Sequence, residues 1–276
     1  MTHSIASLTF LGTGTSNAIP MIACDCQTCT SHDPHDQRGN SSLLITTTKG
    51  KNILIDCGKD FRIQAIREKV KNINAVLLTH DHADHIMGLD ELRVFNHLQK
   101  ESIPIYGKED HLSNIKNYTF RYLFDSSTQK GGGIAKLELM PIMNEVRIDE
   151  IDFKVLVVKH GKLDIFAYRF GDMAYISDVS EIPPQTMAQL QGLDLLILDA
   201  LRFREHSTHF NFTKALETVA FLKPKRTFFI HMSHDVKHHE TQALFKDPKS
   251  EYFSKHDVSL AHDGLKLNIS HSKSSN

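Results

Sequence analysis

Leu77-Leu78-Thr79-His80-Asp81-His82-Ala83-Asp84-His85 is the stretch on which the reading of this chain turns. It sets His80, His82, Asp84 and His85 within six positions, directly after the apolar run Ala75-Val76-Leu77-Leu78. A strand sends side chains to one face at every second residue, so His80 and His82 point the same way if the extended geometry persists. Asp84 and His85 then turn past the strand end, ahead of the helical pattern Asp90 to Phe95. Two imidazoles at period two, then a carboxylate and a third imidazole, suit two adjacent metal ions better than one. The bland alternative is a solvated His-rich loop, and four ligand side chains at the end of an apolar strand weigh against it.

A binuclear site needs further ligands, and strand ends are where they are held rigidly. His160 follows Val155 to Lys159, Asp178 follows Met173 to Ser177, and His231 follows Thr227 to Ile230. Asp178 is the natural bridge, because one carboxylate can give an oxygen to each ion. Separately, Cys24-Asp25-Cys26-Gln27-Thr28-Cys29 gathers three thiols, and His234 lies three residues beyond His231. Together these four could close a Cys₃His tetrahedron, the pattern of a structural zinc site. The alternative is a free thiol cluster with His234 exposed.

Composition narrows the class. A chain of 276 residues, 40% hydrophobic, is read as a single α/β domain over 1–276 with a Cys-rich knuckle at 24–29. The formal net charge is −1, which argues against a nucleic-acid track. No apolar run approaches the roughly 18 residues that span a bilayer. Met1-Thr2-His3-Ser4-Ile5-Ala6 lacks the pattern of a signal peptide, so the expected location is cytoplasmic and the cysteines reduced. Strands are expected at 8–11, 42–46, 53–55, 103–106, 136–140, 145–148, 152–158, 164–170, 173–177, 195–198, 227–230 and 265–269. Helices are expected at 61–70, 88–98, 109–118, 184–191 and 211–222. Strands dominate each half, which predicts two face-to-face sheets with helices outside. Residues 126–133, with their triple glycine, read as a surface loop or a lid.

The His-x-His-x-Asp-His motif, the knuckle and the His231/His234 pair resemble those of the metallo-β-lactamase-fold hydrolases. Within them the chain is most similar to the PhnP-like cyclic-phosphate phosphodiesterases, from Leu11-Gly12-Thr13-Gly14-Thr15 to Asp263-Gly264. The resemblance implies an αββα four-layer sandwich with a binuclear metal site at one sheet edge. It assigns His80, His82 and His160 to one ion, Asp84, His85 and His231 to the other, and Asp178 to both. It gives Cys24, Cys26, Cys29 and His234 a structural zinc. The active-site ions it implies are manganese or zinc, with iron as a further choice. His209 is placed over the site, binding the phosphoryl group or acting as general acid, with His206 as its near alternative. Asp56 resembles a carboxylate that orients a ligating imidazole, and Cys57 reads as a small core residue.

The chemistry so implied is attack of a metal-bridging hydroxide on a small phosphodiester, a cyclic ribosyl phosphate, with Asp84 and His209 as the catalytic residues. Two divalent ions against two carboxylates and one hydroxide leave net positive charge, which favours an anionic substrate. Arg202, Arg204 and Lys237 are candidates for a distal phosphate. Rival readings are a tRNA 3′-processing endoribonuclease, a thioesterase or lactonase, a PqqB-like role in cofactor biosynthesis, and a non-catalytic relative. The tRNA enzymes insert a long arm after the third metal histidine, whereas here 17 residues separate His160 from Asp178 and read as strand–turn–strand. The expected partner is a small-molecule phosphodiester, with no membrane, and a homodimer is the default assembly.

Overall fold

The computed structural model describes residues 4–127, 133–247 and 257–269. Fourteen strands occur among them: β1 Ile5–Gly12, β2 Ser42–Thr47, β3 Asn52–Ile55, β4 Ala75–Leu77, β5 Ile103–Gly107, β6 Leu137–Pro141, β7 Glu145–Ile148, β8 Ile151–His160, β9 Leu163–Phe170, β10 Met173–Ile176, β11 Leu195–Asp199, β12 Arg226–Ile230, β13 Val258–Leu260 and β14 Lys266–Asn268. The helices are α1 Phe61–Arg67, α2 Ala83–Ile86, α3 Arg93–Gln99, α4 Glu109–Asn114, α5 Arg121–Phe124, α6 Pro184–Ala188, α7 Phe212–Leu222 and α8 His238–Lys246.

The strands form two sheets of seven, ordered β14-β1-β2-β3-β4-β5-β6 and β13-β12-β11-β10-β9-β8-β7. Alternation along single strands shows how they pack. In β3, Ile53 and Ile55 face the second sheet, while Leu54 joins Phe61, Leu92 and Phe95 under the outer helices. In β11, Leu195 and Ile197 face inward, while Leu196 and Leu198 pack with Leu216, Val219 and Phe245 of α7 and α8. Burial on both faces is why these strands read as unbroken apolar runs. The layers are therefore helix, sheet, sheet, helix, and the implied αββα sandwich is what the chain adopts. No helix of the described residues is long and apolar enough to cross a membrane.

Several local expectations are corrected. The first helix stops at Arg67, because Lys69 turns left-handed (φ 53°) and Val70 N–H donates back to Ala65 C=O. The helix expected over 88–98 is a 3₁₀ turn, Leu89–Leu92, followed by α3. That over 109–118 passes from α4 into a π-turn at Ile115–Thr119, and that over 184–191 ends at Ala188. The last strand is shorter, and it pairs antiparallel with β1 at a sheet edge. Elements α8 and β13 were not expected. Most of the glycine-rich 126–133 segment lies outside the described residues.

Candidate metal centre

The strand carrying the histidine motif ends earlier than its pattern suggests. β4 stops at Leu77, and Leu78 and Thr79 turn to the second sheet: Tyr168 Oη donates to Leu78 C=O (2.5 Å) and Phe166 N–H to Thr79 C=O (2.9 Å). His80 and His82 are thus presented by a loop anchored to both sheets, and His82 caps the short helix α2 that carries Asp84 and His85. Gly58 lets α2 approach closely, since a Cβ there would lie 2.0 Å from Asp84 C=O. β8 ends on His160, β10 leads to Asp178, β11 ends on Asp199 and β12 leads to His231. β10, β11 and β12 run parallel, and β8 shares their direction through β9, so all four deliver residues to one sheet edge.

Asp56, Asp178 and His231 each hold a left-handed backbone, φ 61°, 54° and 58°. Non-glycine residues pay about 1 kcal/mol or more for this, Asp and His less than most, and such outliers gather at functional sites. Here the left-handed step takes each side chain out of the ladder's alternation.

The side chains fall into two touching groups, His80/His82/His160 and Asp84/His85/Asp178/His231. Asp178 joins them. Its Oδ1 lies 3.3 Å from His85 Nε2 and 3.2 Å from His231 Nε2, and its Oδ2 lies 3.9 Å from His80 Nε2. Asp84 Oδ2 lies 3.2 Å from His85 Nε2 and 3.6 Å from His231 Nε2. The Nε2 atoms of His80, His85 and His231 are buried and have no hydrogen-bond partner. Buried polar atoms are otherwise almost always paired, so three orphaned lone-pair nitrogens converging on two carboxylates fit a pair of divalent ions.

The opposite ring nitrogens of His85, His80 and His160 are held, as ligating imidazoles require, whereas His231 Nδ1 is buried without a hydrogen bond, 3.9 Å from Asp199 Oδ1. His85 Nδ1 meets Asp56 Oδ2 at 2.8 Å, and Thr79 supplies Asp56 with N–H and O–H donors. His80 Nδ1 faces Thr79 Oγ1 at 3.0 Å, and His160 Nδ1 donates to Thr208 C=O at 2.8 Å. Asp56 was expected in this role; Thr79, Thr208 and Asp199 were not. Asp199 accepts from Val179 N–H and from His209 Nδ1, both at 2.9 Å. It terminates the run Leu195 to Leu198, so the strand-end rule that singled out Asp178 also reaches it.

His209 is stacked on His231 with ring centroids 4.8 Å apart and lies 4.8 Å from His160. His206 is exposed, and its Nδ1 accepts from Thr208 N–H. Of the two, His209 is the one held at the site. Arg202 lines a cleft of about 190 Å³ with Thr15, His206, His209 and Ser233. Arg202 and Arg204 share Asp235, at 3.6 and 3.1 Å, and Lys237 is paired with Glu240.

Burial disfavours charge on His80, Asp84, His85, His160, Asp178 and His231, yet their mutual contacts decide the outcome. Burial, with His85 beside it, drives His80 well below the usual imidazole range, and burial also lowers His160. Burial works against charge on His85 and His231 too, but the Asp178 and Asp84 carboxylates outweigh it; His85 rises well above its ordinary value and His231 rises to about 9. In the metal-free protein the raised His231 value stabilises the fold fully below pH 6.5, and that contribution is lost as pH rises through about 9. A ligand imidazole must shed that proton. Metal loading near pH 7.5 is expected to release protons, and affinity to climb with pH towards about 9. Calorimetry in two buffers of different ionisation enthalpy reads this directly, and a buffer-independent heat would rule it out.

The cysteines converge as expected. The Sγ atoms of Cys24, Cys26 and Cys29 lie 3.2, 3.4 and 3.8 Å from His234 Nδ1. Zinc–sulfur and zinc–nitrogen bonds of about 2.3 and 2.0 Å put tetrahedral S and N donors about 3.5 Å apart. Burial opposes a thiolate at Cys26, but Cys29 N–H, Cys24 and His234 donate to it and bring it down to about 6. Cys57 is buried in the core beneath α1.

Comparison with known proteins agrees with this fold. Residues 51–232 match the model of the beta-lactamase superfamily domain. Among solved structures, a diphosphatase of the PhnP family superposes with a TM-score of 0.85 and 39% identity, covering 96% of this chain and 98% of that one. Zinc-bound PqqB from Methylobacterium extorquens shares the fold, with a TM-score of 0.75 and 17% identity over 95% of this chain and all of that one. An octanoyltransferase of Porphyromonas gingivalis is 36% identical over 232 residues, 83% of this chain and 46% of that protein. The chain thus spans about half the length of that relative.

Proposed function

The chain belongs to the beta-lactamase superfamily and, within it, to the PhnP family, and from that premise we propose that it is a metal-dependent hydrolase of small phosphodiesters, with a cyclic ribosyl phosphate as the specific substrate. The observation that carries the proposal is the Asp178 carboxylate, one oxygen of which faces the orphaned Nε2 atoms of His85 and His231 and the other that of His80. Two divalent ions held there would make a nucleophile from water at neutral pH and neutralise phosphoryl oxygens.

The chain's own groups do the rest. Asp56, Thr79 and the Thr208 carbonyl fix the tautomers of His85, His80 and His160, so that Nε2 of each points into the site. Asp199 orients His209 through Nδ1, leaving Nε2 free to bind the phosphoryl group or to give a proton to the departing oxygen. Arg202 at the adjoining cleft supplies positive charge for the remainder of the substrate. The metal identity we favour is manganese in the binuclear centre and zinc in the knuckle.

One comparison favours a second reading: the PhnP-family relative is a diphosphatase, and the same site would take a diphosphate linkage. A tRNA substrate has less support, since only two strands and their tight turns lie between His160 and Asp178, and the net charge is −1. The deciding experiment is turnover by manganese-loaded protein of a ribosyl cyclic phosphate, a dinucleoside diphosphate, a phosphomonoester and a thioester. Diester turnover without thioester turnover supports the proposal; the reverse abandons it for the thioesterase or lactonase reading.

His209→Ala is expected to cost about 10²–10⁴-fold on an alkyl diester and far less on a nitrophenyl diester, whose leaving group needs no proton. Asp199→Asn, acting through His209, should cost about 10–100-fold with the same leaving-group dependence. Equal losses on both substrates would remove His209 from the proton-donor role.

A further inference from the structure

A second concentration of imidazoles lies outside the binuclear centre and the knuckle, where the 3₁₀ turn Pro34–Asp36 meets the N-terminus of α8. The His35 ring has His262, His238 and His239 around it, with centroids at 4.2, 4.8 and 5.5 Å. Asp33 caps the turn, accepting from His35 N–H at 3.0 Å. Its Oδ2 lies 3.2 Å from His239 Nε2 and its Oδ1 lies 3.4 Å from His35 Nδ1. The His35 Nδ1 atom is buried without a hydrogen bond, and so is Nδ1 of His238, a residue only 5% exposed. We propose that Asp33, His35 and His239 bind a further divalent transition-metal ion of the zinc class, with water completing its shell.

Each of the three residues offers a donor atom, and all three atoms lie within 4.8 Å of one another. Metal–nitrogen bonds of about 2.0–2.1 Å place tetrahedral donors about 3.3 Å apart, which is the spacing Asp33 already keeps to both imidazoles. Two imidazoles with one carboxylate suit zinc, cobalt, nickel or copper, and not magnesium or calcium. The frame is set before any ion arrives. Asp36, 1% exposed, pairs with the buried Arg38 at 3.4 Å and accepts from His238 N–H at 2.7 Å, clamping the turn to the helix. Burial and the neighbouring His262 disfavour a protonated His35, and the neutral imidazole is the ligand form. The ion would fasten α8 to the segment that joins the knuckle to β2.

The test is zinc stoichiometry by equilibrium dialysis and elemental analysis on the full chain, wild type against His239→Ala and His35→Gln. His239 is exposed, so its truncation leaves the fold in place. Each variant should bind one zinc fewer than wild type, keep the knuckle and binuclear zinc, and retain full hydrolytic turnover. The same two substitutions should abolish any rise in Tm that added zinc gives the wild type. Equal stoichiometry in all three proteins overturns the site, whether the wild type lacks the additional zinc or the variants keep it.

Discussion

An Asp178→Asn protein will keep its knuckle zinc and lose its binuclear centre. Asp178 is buried, and its two oxygens separately face His85 with His231 and His80. An amide keeps the shape but offers one oxygen and turns an N–H₂ donor towards groups that need an acceptor or a cation. The lost charge also removes what holds His85 and His231 protonated in the absence of metal. We expect both active-site ions to be absent by elemental analysis and diester turnover below about a thousandth of wild type. Asp84→Ala should do the same to turnover through one ion. Among the described residues the hydrogen bonds and ion pairs of Asp84 and Asp178 involve none of the knuckle's side chains, so a zinc proposed there is expected to stay. Retained turnover in either variant would falsify the binuclear assignment.

The second large effect is on stability. Cys26→Ser removes the thiolate that sits 3.4 Å from His234 Nδ1 and accepts from Cys29 N–H. Structural zinc contributes folding energy outright; in a chain with its own cores the loss is on the order of several kcal/mol. With roughly 2–4 °C of Tm per kcal/mol in a chain of this size, the zinc-free protein should melt at least about 10 °C lower. Turnover should fall less steeply at low temperature. The knuckle borders the cleft without reaching the binuclear cluster: His234 and Met21 line it, Met21 N–H donates to Cys29 Sγ, and Thr15 N–H donates to Met232 C=O. Scanning calorimetry and zinc analysis of the variant check both statements. An unchanged Tm with zinc retained would take the metal out of the knuckle.

What was legible in the sequence has a physical reason. Strands buried on both faces announce themselves as apolar runs, and looking for metal-binding residue types where such runs end picked out His160, Asp178 and His231, which the fold brings together. The end of β4 was not legible, because Leu78 and Thr79 remain buried past it: Leu78 N–H still donates to Tyr106 C=O of β5, while the Leu78 and Thr79 carbonyls accept from Tyr168 and Phe166 across the sandwich. Helix α8 was hidden by its polar run His238-His239-Glu240-Thr241-Gln242, whose anchors to the fold are Asp36 and the buried His238, Thr241 and Phe245. Thr79 and Thr208 act through a hydroxyl and a backbone carbonyl, and carry no residue-type signal for that work. Asp199 carried the same signal as Asp178.

The ligand that closes each centre is the last to be made. Cys29 is synthesised 205 residues before His234, and His80, His82, Asp84 and His85 all precede His231. Chains emerge from the ribosome at about 5–20 residues per second, so the three thiols wait on the order of ten seconds or more without their fourth partner. If the knuckle takes the zinc proposed for it, these thiols stand open during translation to oxidation or to a softer, tighter-binding ion such as copper. Metallation would then be a matter of timing as much as affinity, and expression in copper-rich medium is where mismetallated product should first accumulate.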